Sequence, residues 1–190
     1  MTDGKSIGEV ANLEQDEVLY FRYLGGEDDA LRKLLERHRE SLTLFLYGIV
    51  GSMEDAEDLM MDAFAALLAK DKIFAGKSSF KTWLFAIGRH KAVSLLRKKH
   101  LGLAAVTEPM VPPDLSILRK ERHGQLYQAM YGLKTEYRQA LYLAYFEGMT
   151  PAETAHVMGK TARQITFLIY RGKQALKTAL EKEGFEYAEY

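Results

Sequence analysis

The sequence predicts an all-α protein made of two small helical domains joined by a flexible linker, the C-terminal one a helix-turn-helix. Three observations carry this. Apolar residues recur at helical spacing through most of the chain, and no stretch alternates apolar and polar residues between turn signals as a strand would. One segment, residues 101–114, breaks the pattern with Gly102, Pro109, Pro112 and Pro113. Beyond it, residues 150–177 combine two helix starts and a turn glycine at the spacing a helix-turn-helix requires. A chain of 190 residues accommodates two such units. The domains are expected at residues 1–100 and 119–190, with the linker at 101–118.

Taken in order, a first helix is expected over residues 14–24, ending at Gly25-Gly26, and a second from Asp28 to Val50, closed by Gly51. Ser52 then offers an N-cap, with Asp55 where a capping box usually has glutamate. This third helix proceeds through Leu59, Phe64, Leu67 and Leu68, whose spacing assigns Leu59, Phe64 and Leu67 to the core, and breaks at residues 76–79. A fourth, over residues 80–99, would bury Trp83, Leu84, Ile87, Val93, Leu95 and Leu96 and end in Arg97-Lys98-Lys99-His100. Helices resume near Leu115, break at Gly132-Leu133-Lys134 and continue over residues 136–146.

The helix-turn-helix rests on mechanics. Thr150 caps orphan amides, Pro151 at the first helical position forgoes no hydrogen bond, and Glu153 reaches back to the cap. Gly159 can take the left-handed conformation of a tight turn, and Thr161 can cap the next helix. Small Ala155 falls where two helices cross, while Met158, Ile165 and Leu168 fill the apolar slots. The second helix would present Arg163, Gln164, Thr166, Phe167 and Tyr170 outward to base edges in a major groove. Arg171, Lys173 and Lys177 suit phosphates.

The formal net charge is zero, yet it is unevenly spread. Residues 1–62 hold 15 acids and 6 bases, whereas residues 63–100 hold 1 acid and 9 bases. No acid lies between Glu153 and Glu181, where Lys160, Arg163, Arg171, Lys173 and Lys177 occur. An acidic first third is thus followed by two basic patches, a distribution that suits a nucleic-acid partner. With no cysteine, disulfides and thiolate metal sites are excluded. The histidines other than His90, namely His38, His100, His123 and His156, lack metal-ligand spacing and are expected at the surface or in caps, so no metal is expected. No cofactor is expected either, because Gly25-Gly26-Glu27-Asp28 is a turn rather than a phosphate loop. No apolar run approaches a membrane span, and residues 1–10 lack the basic start and apolar core of a secretory signal, so a cytoplasmic protein without membrane insertion is expected.

Two runs carry a family resemblance. Residues 55–64, Asp-Ala-Glu-Asp-Leu-Met-Met-Asp-Ala-Phe, and residues 80–90, Phe-Lys-Thr-Trp-Leu-Phe-Ala-Ile-Gly-Arg-His, resemble the second conserved region of RNA polymerase sigma factors of the small extracytoplasmic-function class, in the sigma-70 family. Residues 148–155 and 170–176 resemble the fourth region of that class. The resemblance implies a sigma factor without catalytic activity that binds core RNA polymerase, promoter DNA and an anti-sigma factor, and is a monomer outside the holoenzyme. It implies a core-polymerase face at Asp55, Glu57, Asp58, Met61 and Asp62. Minus-ten recognition and melting would fall to Phe74, Ser78, Ser79, Phe80, Lys81, Trp83, Arg89, His90, Lys91, Ser94, Arg97 and Lys98, with the loop over residues 74–80 accepting a flipped base. On its helix, beside Leu84 and Ile87, Trp83 reads more as a core anchor than as a stacking platform. The recognition-helix residues named above would meet the minus-35 element. The class commonly has asparagine and aspartate where this chain has His90 and Ser94, so its base preference does not carry over, and proline where this chain has Lys134. The residues alone leave two other readings open: a free-standing helix-turn-helix regulator that binds an operator as a dimer, and a degenerate sigma-like module that only binds polymerase.

Overall fold

The computed structural model describes residues 14–69, 73–101, 126 and 129–182; the linker after Leu101 and the helix start near Leu115 lie outside them. Among the described residues the chain is helical and contains no strand. Its helices are α1 (Asp16–Leu24), α2 (Asp28–Val50), α3 (Met53–Leu68), α4 (Phe80–Leu101), α5 (Thr135–Leu141), α6 (Pro151–Met158) and α7 (Ala162–Lys182), and residues 129–131 are also helical. The boundaries follow the capping chemistry. Gly51 ends α2 with its amide on the Tyr47 carbonyl, and Ser52 Oγ accepts the Asp55 amide at 3.2 Å to start α3. Only that arm of the expected capping box forms. The Asp55 carboxylate accepts from Lys99 Nζ of α4 at 2.6 Å, so its charge ties α3 to α4.

The first domain is built on α2, against which α1, α3 and α4 pack. Leu34, Leu42, Phe45 and Leu46 of α2 meet Leu67 of α3 and Leu84 and Phe85 of α4 in a fully buried core. Of the residues expected to be buried on α4, Leu84 and Ile87 are, while Trp83, Val93, Leu95 and Leu96 are only half-buried. Leu95 shows why: it lines an open groove between α3 and α4.

His38 corrects an expectation. It is buried, 4% exposed, because α1 brings Asp16 to it with Nε2 and the carboxylate 2.7 Å apart; Arg37 also pairs with Asp16. Burial pushes the Asp16 carboxyl up, but the bonds and charges of His38 and Arg37 outweigh it and hold the group below its ordinary range. A carboxyl whose folded pKa lies below its unfolded value contributes stability above the unfolded pKa and loses it as pH falls through the folded one. Asp16→Ala is therefore expected to destabilise the protein by about 1.5–3 kcal/mol at pH 7. The gap to wild type should narrow below about pH 4, as denaturant unfolding at both pH values would measure.

In the second domain α5 runs into a π-helical turn, Tyr142–Phe146, in which the Glu147 amide reaches back to the Tyr142 carbonyl at 3.2 Å. This turn buries Tyr142 and Leu143 while leaving Tyr145 and Phe146 at the surface. α5 and α6 both pack on α7. At the α5 crossing, a Cβ on Gly172 would lie 3.2 Å from Leu141 side-chain atoms and 3.3 Å from the Tyr137 Cβ, so the close approach of α5 and α7 depends on that glycine.

The two domains pack on each other. Arg138 of α5, 4% exposed, donates Nε–H to the Gly48 carbonyl of α2 at 2.9 Å and Nη1 to the Tyr131 carbonyl at 2.6 Å. Burial pushes its guanidinium pKa down. Tyr142 donates its hydroxyl to the Ser41 carbonyl at 3.0 Å, and its ring lies 6.0 Å from that of Phe45. Tyr47 and Tyr131 meet edge to face at 5.2 Å.

Candidate nucleic-acid interface

The helix-turn-helix has the local geometry that its residues dictate. Thr150 Oγ1 accepts the Glu153 amide at 3.3 Å and the Glu153 carboxylate accepts the Thr150 amide at 2.9 Å, a complete capping box with Pro151 inside it. Gly159 ends α6 at φ 63°, the left-handed turn that lets α7 start three residues later. Ala155, Met158, Ile165 and Leu168 are buried at the crossing, Ile165 completely.

On α7 the residues expected to face DNA are all exposed: Arg163, Gln164, Thr166, Phe167, Tyr170, Arg171, Lys173 and Lys177. Phe167 and Tyr170 are 60% and 61% exposed, unusual for large rings with no described cover. The cations beside them are oriented. The Arg171 guanidinium lies over the Phe167 ring at 5.8 Å, and the Lys173 ammonium over Tyr145 at 4.8 Å. Gln164 has a task the sequence reading did not assign. Its Oε1 accepts the Thr161 amide at 2.8 Å while its backbone N–H donates to Thr161 Oγ1 at 3.2 Å, a second reciprocal cap. Only its amide NH2 remains to meet a base.

In the first domain the candidate residues fall in three places around α4. His90, Lys91, Ser94 and Lys98 line the groove between α3 and α4, about 420 Å³ in volume, with Asp62 on the facing wall and its carboxylate 3.9 Å from Lys91 Nζ. Arg97 is exposed on the same half of the helix. Glu57, Asp58, Met61 and Asp62 are exposed on α3, and Leu68, two turns beyond Met61, is exposed as well; the two apolar side chains are 54% and 57% exposed.

The second place is the start of α4. Ser78 and Ser79 are half-buried; Ser79 Oγ accepts the Thr82 amide at 3.2 Å and so caps the helix. Phe74 and Phe80, expected to meet a base, are instead 3% and 0% exposed. They form the floor beneath the loop with Tyr20 and Trp83, ring centroids 5.4 to 6.0 Å apart, because a short loop over a hydrophobic cleft buries its aromatics before anything else. Two supports come from α1, which the sequence reading treated as a plain helix. Tyr20 accepts the Phe74 amide on its hydroxyl at 3.3 Å, and the Glu17 carboxylate accepts the Phe80 amide at 2.7 Å.

The third place is the domain interface. Arg89 donates Nε–H to Gln139 Oε1 at 2.9 Å, and burial pushes its pKa down. Two carboxylates of the second domain, Glu147 and the capping-box Glu153, reach the start of α4. Glu153 Oε1 accepts from Ser79 Oγ at 3.2 Å and Thr82 Oγ1 at 3.3 Å; Lys81 Nζ donates to the Glu147 carbonyl at 2.7 Å, with the Glu147 carboxylate 3.4 Å away. The Thr150 amide and hydroxyl, with smaller help from Ser79 and Thr82, hold the Glu153 carboxyl below its ordinary range, so it is ionised at neutral pH. Among the described residues, no helix is long and apolar enough to cross a membrane.

Residues 34–101 match the family Sigma-70 region 2 and residues 123–176 match Sigma-70, region 4. The chain is 28% identical over 171 residues to the ECF RNA polymerase sigma factor BldN of Streptomyces coelicolor, a match covering 86% of this chain and 65% of BldN. The structure of CnrH in complex with the cytosolic domain of CnrY superposes with a TM-score of 0.64 at 25% identity, over 89% of this chain and 99% of that one. RpoE of Bartonella quintana, solved with the anti-sigma factor NepR, shares the fold with a TM-score of 0.65 at 22% identity, over 79% and 96% of the two chains.

Proposed function

The chain belongs to the sigma-70 family of RNA polymerase sigma factors, extracytoplasmic-function type, whose members direct promoter-specific transcription initiation, and from that premise we propose how its residues divide the work. The exposed basic and aromatic face of α7 reads the minus-35 element in a major groove. The groove between α3 and α4, with the loop before α4, engages the minus-ten element. The acidic face of α3, with Met61 among its carboxylates, docks on core RNA polymerase. Nothing in this division requires catalysis by the chain itself. The observation that carries it is the pairing, in one chain, of a recognition helix, α7, whose basic side chains, with Phe167 and Tyr170, are all exposed with a groove lined by His90, Lys91, Ser94 and Lys98.

A net charge of zero means that few phosphates are neutralised, so promoter affinity without polymerase is weak and placement depends on core enzyme. The NepR complex of RpoE supports a protein inhibitor of the anti-sigma kind as a further partner. The test is run-off transcription with core polymerase on a genomic template library, beside a mobility-shift assay with and without core. Failure to bind core or to initiate from any template sinks the reading, and tight operator binding without core would favour a free-standing regulator.

Within this reading Arg163→Ala changes the ranking of promoters, since a lost base contact is worth about 1–3 kcal/mol for the promoters that carry that base. Lys173→Ala weakens all promoters alike and lowers the salt dependence of binding. Initiation rates across a panel of minus-35 variants separate the two, and an equal loss across the panel for Arg163→Ala removes it from base reading.

A further inference from the structure

Three lysines of the second domain are held in two different ways. Lys160 pairs with the Glu136 carboxylate at 2.7 Å, and Lys177 with that of Glu181 at 3.8 Å. Lys173 has no acid within helical reach on α7, since the positions three and four residues away are Ile169, Tyr170, Leu176 and Lys177. Its ammonium instead lies 4.8 Å from the centre of the Tyr145 ring.

The kind of partner decides what each cation can still do. A carboxylate fixes an ammonium but cancels its charge, so a DNA phosphate has to displace it first. An aromatic face fixes the ammonium through the ring quadrupole and leaves the full charge, because the ring itself carries none. A lysine that is already confined also gives up less rotamer freedom when it meets a phosphate. Lys173 is therefore both placed and fully charged, in a chain whose formal charge of zero leaves few cations to spare.

Tyr145 comes to this place through the π turn. The Glu147 amide returns to the Tyr142 carbonyl, five residues back, at 3.2 Å, so the turn takes in one residue more than an α-helical one. Tyr142 and Phe146 stack within it at 5.3 Å and 12° between planes, and Tyr142 and Leu143 are buried, which pins the turn from inside. Tyr145 is left 56% exposed at its edge. The ring adds little to the core there, and the contact with Lys173 of α7 is what its position provides.

We propose that Tyr145 is a positioning residue for promoter binding, its ring holding the fully charged Lys173 ammonium ready for a phosphate beside the minus-35 element. The assignment rests on the function proposed above. It brings a residue from outside the helix-turn-helix into the DNA interface. Because Tyr145 acts through a phosphate contact and reads no base, its effect is the same for every promoter.

The test titrates holoenzyme, formed from core polymerase and each variant, onto a panel of minus-35 promoter variants at several salt concentrations. Tyr145→Leu is expected to weaken every promoter about two- to fivefold, the range that an exposed cation–π contact carries. It should also lower the salt slope toward that of Lys173→Ala, which loses about one phosphate contact. Tyr145→Phe keeps the ring and should bind as wild type does. Tyr145→Glu keeps a partner for Lys173 but cancels its charge, so it should bind no better than Tyr145→Leu. With Lys173→Ala in place, Tyr145→Leu should add no further loss. A role in packing alone would lower the urea midpoint and leave the salt slope unchanged, and that pattern overturns the proposal. Equal losses from Tyr145→Leu in both backgrounds overturn it too, as does Tyr145→Phe binding as weakly as Tyr145→Leu, or Tyr145→Leu binding as wild type does. Should Tyr145→Leu misfold by far-UV circular dichroism, Tyr145→Glu against Tyr145→Phe makes the same comparison. A wild-type holoenzyme that binds no promoter of the panel overturns instead the functional reading on which the proposal stands.

Discussion

Tyr20→Ala is expected to lower the stability of the first domain by about 3–5 kcal/mol, a large part of the roughly 5–15 kcal/mol typical of a domain. Tyr20 is fully buried and its ring meets those of Phe74, Phe80 and Trp83 at 5.9, 5.4 and 5.6 Å. Truncation leaves a cavity walled by three large rings that cannot all collapse into it, and it orphans the Phe74 amide. Tyr20→Phe keeps the ring and loses only the hydroxyl, so it should cost about 1 kcal/mol. Urea unfolding measures both. Trp83, the only tryptophan, reports the loop directly, and its emission in native Tyr20→Ala should shift to the red as water reaches it. Equal stability of Tyr20→Ala and wild type would mean that α1 does not support the loop. Tyr20 lies outside the matched region 2 segment, residues 34–101, so such a result would also confine the loop's support to that segment.

This dependence on α1 marks where sequence reading stops. The helix-turn-helix is legible because its determinants are local: Thr150 and Glu153 cap within three residues, Gly159 turns, and Thr161 with Gln164 caps again. The ends of α2 are legible for the same reason. The acidic face of α3 and the cationic half of α4 follow from helical spacing, and folding sets Asp62 at the edge of the first across a groove from the second. Contacts between distant positions leave no such pattern. Glu17 caps α4 from 63 residues away, Arg138 reaches Gly48 across 90, and Glu153 meets Ser79 across 74. Charge type alone misleads at these sites. His38 reads as a surface residue until Asp16 is packed beside it, and Arg89 reads as a free DNA contact until Gln139 accepts its N–H. Phe74 and Phe80 have the right chemistry for stacking on a base, yet the hydrophobic effect places them under the loop rather than on it.

Gly172→Val should have the second large effect, and its sign comes from packing against helix propensity. Gly172 lies in the interior of the 21-residue helix α7, where glycine costs about 1 kcal/mol relative to alanine. Something must offset that cost, and the approach of α5 does so. A Cβ here would lie 3.2 Å from Leu141 and 3.3 Å from the Tyr137 Cβ, and the second of these, next to the backbone of α5, cannot swing aside. Alanine sets the propensity gain against that contact and should change stability little. Valine adds two γ carbons, so α5 and α7 must separate, at about 1–3 kcal/mol. Because α5 carries Arg138 and leads into the π turn that holds Tyr145 against Lys173, the displacement reaches the recognition face as well as the domain contact. Gly172→Val should therefore unfold at lower denaturant and, while still folded, lose minus-35-dependent initiation more than core binding. Chemical denaturation with a core-binding assay alongside transcription distinguishes these. A Gly172→Val protein with wild-type stability and promoter use would show that α7 does not depend on this approach for its position.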